Sequence, residues 1–190
     1  MIYQFKKILF LTAMILSFSA LAENRWYGQI SLTVWTRNFE EATPSRNNDG
    51  VEKTEGGFAP GLGYHYNSHW AFELEFLPTM GFTVNQGNRT GTISMWALTL
   101  APKYTFSQRY FSEKLSFFVK FRLGYTKMTG TSFYGNTGSN SSYTLGPAVG
   151  MDYKINDRWQ AYVDIGGLWA SGDIEDYDFH PWQIGGRYLF

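Results

Sequence analysis

Cysteine is absent from this 190-residue chain. Its absence excludes a disulfide framework, a thiolate metal centre, a cysteine nucleophile and a lipid-modified N-terminal cysteine. Histidine is scarce, with three copies, and no excess of either charge exists: Lys plus Arg number 16, as do Asp plus Glu. A chain this neutral carries no electrostatic footprint for nucleic acid. Long apolar runs are also missing. Beyond residue 22 no stretch approaches the ~18 residues that a membrane-crossing helix needs. What is abundant is aromatic side chains, 19% of the chain, together with 20 glycines. The mean hydropathy is nevertheless slightly negative. Aromatics and glycines diluted by polar residues fit alternating strands better than helices.

The first 22 residues have the layout of a cleavable secretory signal. Lys6 and Lys7 give a positive start, Ile8 to Leu16 an apolar run too short to span a bilayer, and Ala20-Leu21-Ala22 a small-x-small cleavage site. Residues 1–22 are therefore expected to be removed, leaving 23–190 as one domain. Without Lys6 and Lys7 that domain carries two more acidic than basic residues.

Read at period two, 23–190 resolves into eight segments: 26–39, 57–66, 70–82, 93–106, 115–127, 143–154, 159–169 and 182–190. In each, one face is bulky and apolar, as in Trp70, Phe72, Leu74 and Phe76. The other is small, polar or charged, as in Ala71, Glu73 and Glu75. Each is about the 9–11 residues of a tilted strand that crosses a bilayer. Aromatics collect at the segment ends. Trp26, Tyr66, Trp70, Tyr104, Phe106, Tyr153, Trp159, Tyr188 and Phe190 are expected in one girdle, and Phe82, Trp96, Tyr125, Tyr143, Trp169 and Trp182 in the other. Connections alternate: 67–69 and 155–158 are tight and 107–114 intermediate, whereas 40–56, 83–92, 128–142 and 170–181 are long and polar. The expected fold is all-β, an eight-stranded antiparallel up-and-down transmembrane β-barrel with both termini on the short-turn, periplasmic side.

A soluble barrel of the lipocalin kind has the same periodicity, but its apolar face points inward. An eight-stranded barrel has room inside only for side chains, so glycine and alanine suit its interior. Rows of Phe, Tyr and Leu suit lipid, and in water they would aggregate. Pro60, Pro102 and Pro147 fall on the outward face of interior strands, where a missing N–H is expected to produce local bulges.

The last eight residues, Gln183-Ile184-Gly185-Gly186-Arg187-Tyr188-Leu189-Phe190, resemble the C-terminal signal of outer-membrane barrels, with Gln183, Gly185, Tyr188 and Phe190 at its pattern positions. That resemblance implies recognition by the barrel assembly machinery. The eight segments, the Tyr153-Lys154-Ile155-Asn156-Asp157-Arg158-Trp159 turn and inward Glu73 and Glu75 resemble the OmpA/OmpX-type small barrels of Gram-negative outer membranes. The resemblance covers architecture, with no long motif shared. It implies an integral outer-membrane protein bathed in outer-membrane lipid and lipopolysaccharide.

The inward charges are Arg37, Glu73, Glu75, Lys103, Lys120, Arg122, Asp152, Asp164 and Arg187. Counted from the periplasmic rim, Glu73, Lys103, Asp152 and Arg187 fall at one depth. Glu75, Lys120, Arg122 and Asp164 fall at a higher one. Charges withdrawn from water must be paired, so a plug of salt bridges is expected, with a gated narrow pore or small-solute channel as the alternative. A conduit for hydrophobic ligands, of the OmpW kind, would need an apolar lumen, whereas this interior reads as charged. The enzymatic alternative is a lipid A-modifying activity built on His180 with Ser171, Asp173 and Glu175, but no nucleophile elbow surrounds them. Neither metal nor cofactor is expected: the acidic stretch 173–178 reads as a solvated loop, His65 as a lumen residue and His69 as a turn residue. Asn88 and Asn140 head chance sequons. The long segments 40–56, 83–92, 128–142 and 170–181, including exposed Phe133 and Tyr134, are the expected contact sites for host or phage surface molecules. A structural or adhesin-like role without catalysis is the expected function.

Overall fold

The computed structural model describes residues 25–37, 50–51, 54–86, 89–106, 112–132, 134–171 and 178–190. The signal segment 1–22, Arg46, Asp49, Glu52, Lys53, Asn88, Phe133, Asp173, Glu175 and the side chain of Arg37 lie outside the described residues.

The elements are all strands: β1 (Trp26–Arg37), β2 (Gly50–Val51), β3 (Thr54–His65), β4 (Trp70–Pro78), β5 (Phe82–Gln86), β6 (Arg89–Thr105), β7 (Leu115–Thr131), β8 (Thr137–Lys154), β9 (Trp159–Gly166), β10 (Leu168–Ala170) and β11 (Asp178–Leu189). Eight of them close a ring, each antiparallel to the next: β1, β3, β4, β6, β7, β8, β9 and β11, which returns to β1. The closing seam runs without interruption from Tyr27↔Leu189 to Arg37↔Phe179. Phe190 N–H adds a bond to the Trp26 carbonyl at 3.0 Å.

The tight turns share a device. The Asn67 side-chain oxygen accepts from the N–H groups of His69 (2.9 Å) and Trp70 (2.8 Å). Asn156 does the same for Arg158 (2.9 Å) and Trp159 (2.8 Å). Ser112 likewise takes the N–H groups of Lys114 and Leu115. An Asn or Ser that satisfies the backbone two and three residues ahead bends the chain with no further residues.

Faces follow the alternation. Ile30, Leu32, Phe72, Leu74, Leu98, Leu100, Phe121, Leu123, Val149 and Ile184 are exposed on the outside, and Tyr27, Ala71, Glu73, Ala101, Phe118, Ala148 and Tyr162 are buried within. On the rim of the tight turns the aromatics touch in series: Trp70 with Tyr104 (5.1 Å), Tyr104 with Phe106 (5.3 Å), Trp159 with Tyr188 (4.9 Å) and Tyr188 with Phe190 (5.7 Å). On the opposite rim Phe76, Trp96, Tyr125 and Tyr143 form a second series.

Three expectations are corrected. First, the prolines cause no bulges. Each pairs normally on one side, Pro60 with Ile30, Pro102 with Phe72 and Pro147 with Phe121. On the other side Pro102 and Pro147 each interrupt a ladder that continues in the same register, whereas Pro60 stands where the β3–β4 ladder ends, just past Gly61↔Glu75. Leu100↔Leu123 and Lys103↔Lys120 bracket Pro102, while Ala148↔Gly166 and Leu145↔Trp169 bracket Pro147. A missing N–H deletes one bond without inserting a residue. Second, the one added residue lies elsewhere. Pro78 pairs with Trp96 and Phe82 with Ile93, four steps on one strand against three on the other, with Gly81 at φ 117°. This bulge reverses the faces, so Phe82, expected in a girdle, is fully buried in the lumen. Third, much of 83–92 and 128–142 is strand rather than loop, since Thr83↔Thr92 and Gly130↔Gly138 continue the ladders. Parts of 40–56 and 170–181 are also strand, at Thr54–Gly56 and Asp178–Pro181. Threonine serves a strand as well as a loop, and backbone pairing decides between them.

Inward glycines stand where large lumen side chains need space. A Cβ on Gly63 would coincide with the Tyr27 ring. Gly63→Val is expected to destabilise the barrel by ~1–3 kcal/mol. Gly130→Ala, whose Cβ meets only Ile93 at 4.0 Å, is expected to be near neutral. Urea unfolding in detergent micelles, followed by tryptophan fluorescence, measures both.

Candidate functional site: the filled lumen

Eight charged side chains point into the barrel from six strands of the ring: Glu73 and Glu75 from β4, Lys103 from β6, Lys120 and Arg122 from β7, Asp152 from β8, Asp164 from β9 and Arg187 from β11. All are at most 6% exposed. Four are anionic and four cationic, and they form one connected network. At the level nearer the tight turns, Lys103 Nζ lies 2.6 Å from Asp152 and 3.6 Å from Glu73. Arg187 pairs with Asp152 and lies 3.1 Å from Glu73. One level higher, Lys120 lies 2.5 Å from Glu75 and 2.8 Å from Asp164, while Arg122 lies 2.8 Å from both carboxylates. Lys120 also reaches Glu73 at 3.0 Å and so joins the two levels.

Neutral groups complete the coordination. The Tyr27 hydroxyl donates to Glu73 (2.7 Å), Gln29 donates to Glu75 (3.3 Å), and Arg187 Nε donates to the Gln29 oxygen (2.9 Å). The Arg187 guanidinium lies 3.9 Å from the centre of the Tyr162 ring, and Lys103 lies 4.1 Å from that of Phe118. Buried charges persist only when paired and hydrogen-bonded. Here two successive inward residues on β4, and two on β7, meet across the intervening β6, so strands that are not neighbours are joined through their charges.

Above the charges, away from the tight turns, the lumen changes character. Trp35, Ala59, Leu77, Phe82, Met95, Ala97, Leu168 and Phe179 form a buried apolar cluster. Trp35 and Phe179 meet edge to face at 6.1 Å. Leu77 stands one inward step beyond Glu75, so the cluster sits directly on the upper ionic level. The expectation of a charged interior therefore holds for only one half of the barrel. The alternation already placed Trp35 inward, but Phe82 enters only through the bulge. Residual exposure of Gln29, Ser116 and Asp152, each 6%, lies toward the tight-turn end. His65 is half-buried there, 4.8 Å from Tyr27.

These features match a known architecture. A family model described as the outer membrane protein beta-barrel domain matches residues 8–190. The chain belongs to the outer-membrane β-barrel family. Among solved structures, this barrel is similar to the attachment invasion locus protein Ail of Yersinia pestis. The two are 17% identical over 89% of this chain and 100% of that one, with a TM-score of 0.60. It is also similar to Neisserial surface protein A, 12% identical over 87% and 97%, TM-score 0.60. A third is OprG of Pseudomonas aeruginosa, 13% identical over 87% and 95%, TM-score 0.56. At these identities the likeness is one of fold. No curated protein sequence matches the chain. The barrel thus crosses the outer membrane many times, with its tight turns at the periplasmic rim.

The C-terminal residues have structural posts of their own. Gln183 faces the lumen, where it accepts from Tyr162 (3.2 Å) and Ser31 (3.4 Å). A Cβ at Gly185 would strike the backbone of Ile30. Tyr188 and Phe190 extend the periplasmic aromatic series. Of the residues of the catalytic alternative, His180 and Ser171 fall within the described residues. His180 shares the outward face of β11 with Trp182, while Ser171 is held by Ser142 and the Tyr143 carbonyl. Among the described residues no cluster of three or more metal-ligating side chains exists.

Glu75→Ala is expected to cost ~3–5 kcal/mol, because Lys120 and Arg122 would keep their charge and lose an anion. The paired replacement Glu75→Met with Arg122→Met keeps the network neutral and is expected to recover more than half of that loss. Equilibrium unfolding of both variants in micelles checks the difference.

Proposed function

We propose that this barrel is a closed, non-catalytic membrane anchor that presents an extracellular contact surface. One observation carries the proposal. Strands β6, β7 and β8 run on past the upper aromatic series and stand above the membrane as a paired polar sheet, from Arg89, to Thr131 and from Thr137. Six or seven residues beyond Trp96, Tyr125 and Tyr143, at ~3.4 Å each, extend the sheet by ~20 Å along its strands. A hydrogen-bonded platform orients its tip far better than a free loop and costs less entropy when a partner docks. Tyr134, at its turn, is 75% exposed.

The filled lumen supports the same reading. The ionic network crosses the barrel at two levels and the apolar cluster caps it, so two different barriers oppose a permeating ion. Hydrophobic constrictions exclude ions by dewetting, and the cap stays in place when a salt bridge is lost. The β10–β11 register, Leu168↔Phe179, sets Ser171 four residues along from the position that faces His180, ~13 Å at strand spacing, and this supports the absence of catalysis. Ail, of similar fold, is an attachment invasion locus protein and has been solved with a heparin analogue. For this chain, attachment through segments 128–142 and 83–92 is part of the proposal. So are cleavage of residues 1–22 and recognition of Gln183, Gly185, Tyr188 and Phe190 by the assembly machinery.

Cells bearing the intact barrel are expected to adhere to host surfaces more strongly than cells whose β7–β8 hairpin is trimmed to the girdle. Equal adherence, with equal surface display, would sink the proposal. In planar bilayers the intact protein and Glu73→Gln are expected to stay closed. Adding Trp35→Ala, Phe82→Ala and Phe179→Ala to Glu73→Gln, which breaches both barriers, is expected to give conductance. Steady current through the intact barrel would overturn the closed state.

A further inference from the structure

The projecting sheet has two faces, and the outward one is built almost wholly of hydroxyls. Register sets the rows. Thr83, Thr92, Thr131 and Thr137 lie side by side on β5, β6, β7 and β8. Ser94, Thr129 and Ser139 form the next row toward the membrane, then Trp96, Lys127 and Ser141, then Leu98, Tyr125 and Tyr143. Alternation puts all of them on the side of Leu98 and Tyr143, which are 45% and 78% exposed. The Thr131 and Thr137 hydroxyls lie 3.5 Å apart, as neighbours on one face do. Strands ~4.8 Å apart, with like-facing residues ~6.8 Å apart, make these hydroxyls a fixed lattice. The opposite face carries a different set, Ile93 beside Gly130 and Gly138 and then Met95, Met128 and Asn140.

We propose that this outward hydroxyl face docks the sugar headgroups of the glycolipid in the outer leaflet, lipopolysaccharide, that surrounds the barrel. Position selects the occupant. The face is continuous with the lipid-facing wall below it and looks sideways, so what stands against it is a molecule rooted in the same leaflet. Chemistry agrees. Each hydroxyl both donates and accepts, as sugar hydroxyls do, and the threonine methyl groups offer contact to sugar C–H faces. Lys127 lies between Trp96 and Ser141, one step above the lipid-facing aromatics, where it can meet the phosphate of such a headgroup. The proposal rests on the outer-membrane placement of the barrel and not on contact with another cell.

The test compares the full barrel with Thr92→Val/Thr131→Val/Thr137→Val, substitutions that remove hydroxyls while keeping shape and strand preference. Each is placed in nanodiscs of phospholipid doped with lipopolysaccharide carrying its complete core sugars, or with a form lacking them. Co-purifying glycolipid is counted by mass spectrometry, and unfolding in pure phospholipid discs verifies the fold. The intact barrel is expected to retain the complete form about five-fold more than the truncated one, the scale of about one net hydrogen bond. The triple variant is expected to lose that preference with unchanged unfolding. Lys127→Ala is expected to lower retention of both forms. Equal retention of both forms by the intact barrel would overturn the proposal, as would an undiminished preference in the triple variant. So would binding of a soluble host-type glycan to the face with no discrimination between lipopolysaccharides. Adherence of the triple variant, measured separately, keeps a failure here distinct from a failure of the adhesion reading.

Discussion

Hydrocarbon offers no partner to an exposed peptide group, so every wall of this protein must be hydrogen-bonded to another wall. That constraint forces closure, and closure is achieved between the first and last strands, with β1 and β11 paired along their length. It also explains the placement of the prolines. Each of Pro60, Pro102 and Pro147 keeps its pairing on one side; on the other the ladder resumes in register past Pro102 and Pro147 and ends at Pro60. The cost of each is one bond in a wall that has many, and the barrel stays shut.

Closure creates an interior too narrow to stay empty, and the filling differs by depth. Toward the periplasm it is ionic, with carboxylates and cations alternating across the lumen at two levels joined by Lys120. Toward the outside it is apolar, around Trp35, Leu77, Phe82 and Phe179. The two halves do different physical work. Ion pairs of this kind contribute little net free energy over an apolar filling but penalise any register that separates them. The apolar half gains from burial directly and keeps the ions from external water. A barrel so filled is a rigid base, and rigidity is what lets a sheet of three long strands stand beyond the membrane and hold a pattern of side chains in place.

Much of this was legible in the residues. Alternation identified the walls, and the Asn-x-x-Trp turns marked the periplasmic rim. Counting residues from that rim sorted Glu73, Lys103, Asp152 and Arg187 from Glu75, Lys120, Arg122 and Asp164, the groups that the structure finds paired within each level. What misled was composition. Segments rich in Gly, Ser, Asn and Thr look like loops, yet 89–92 and 137–142 are strands, because threonine tolerates either and the decision belongs to the neighbouring chain. Phe82 was assigned to the lipid by parity counted through an unbroken segment. Gly81 adds a residue, and every face beyond it reverses.

Side-chain periodicity is a local property, so the sequence by itself determined that the chain forms strands, which face of each meets lipid, and which charges share a level. Pairing is a property of two chain segments at once. Only the tertiary structure decided where the bulge falls, how far the strands run beyond the membrane, and that an apolar layer covers the ionic one. The physical reason is that a strand's register, length and interruptions are settled by the hydrogen bonds its neighbour can return.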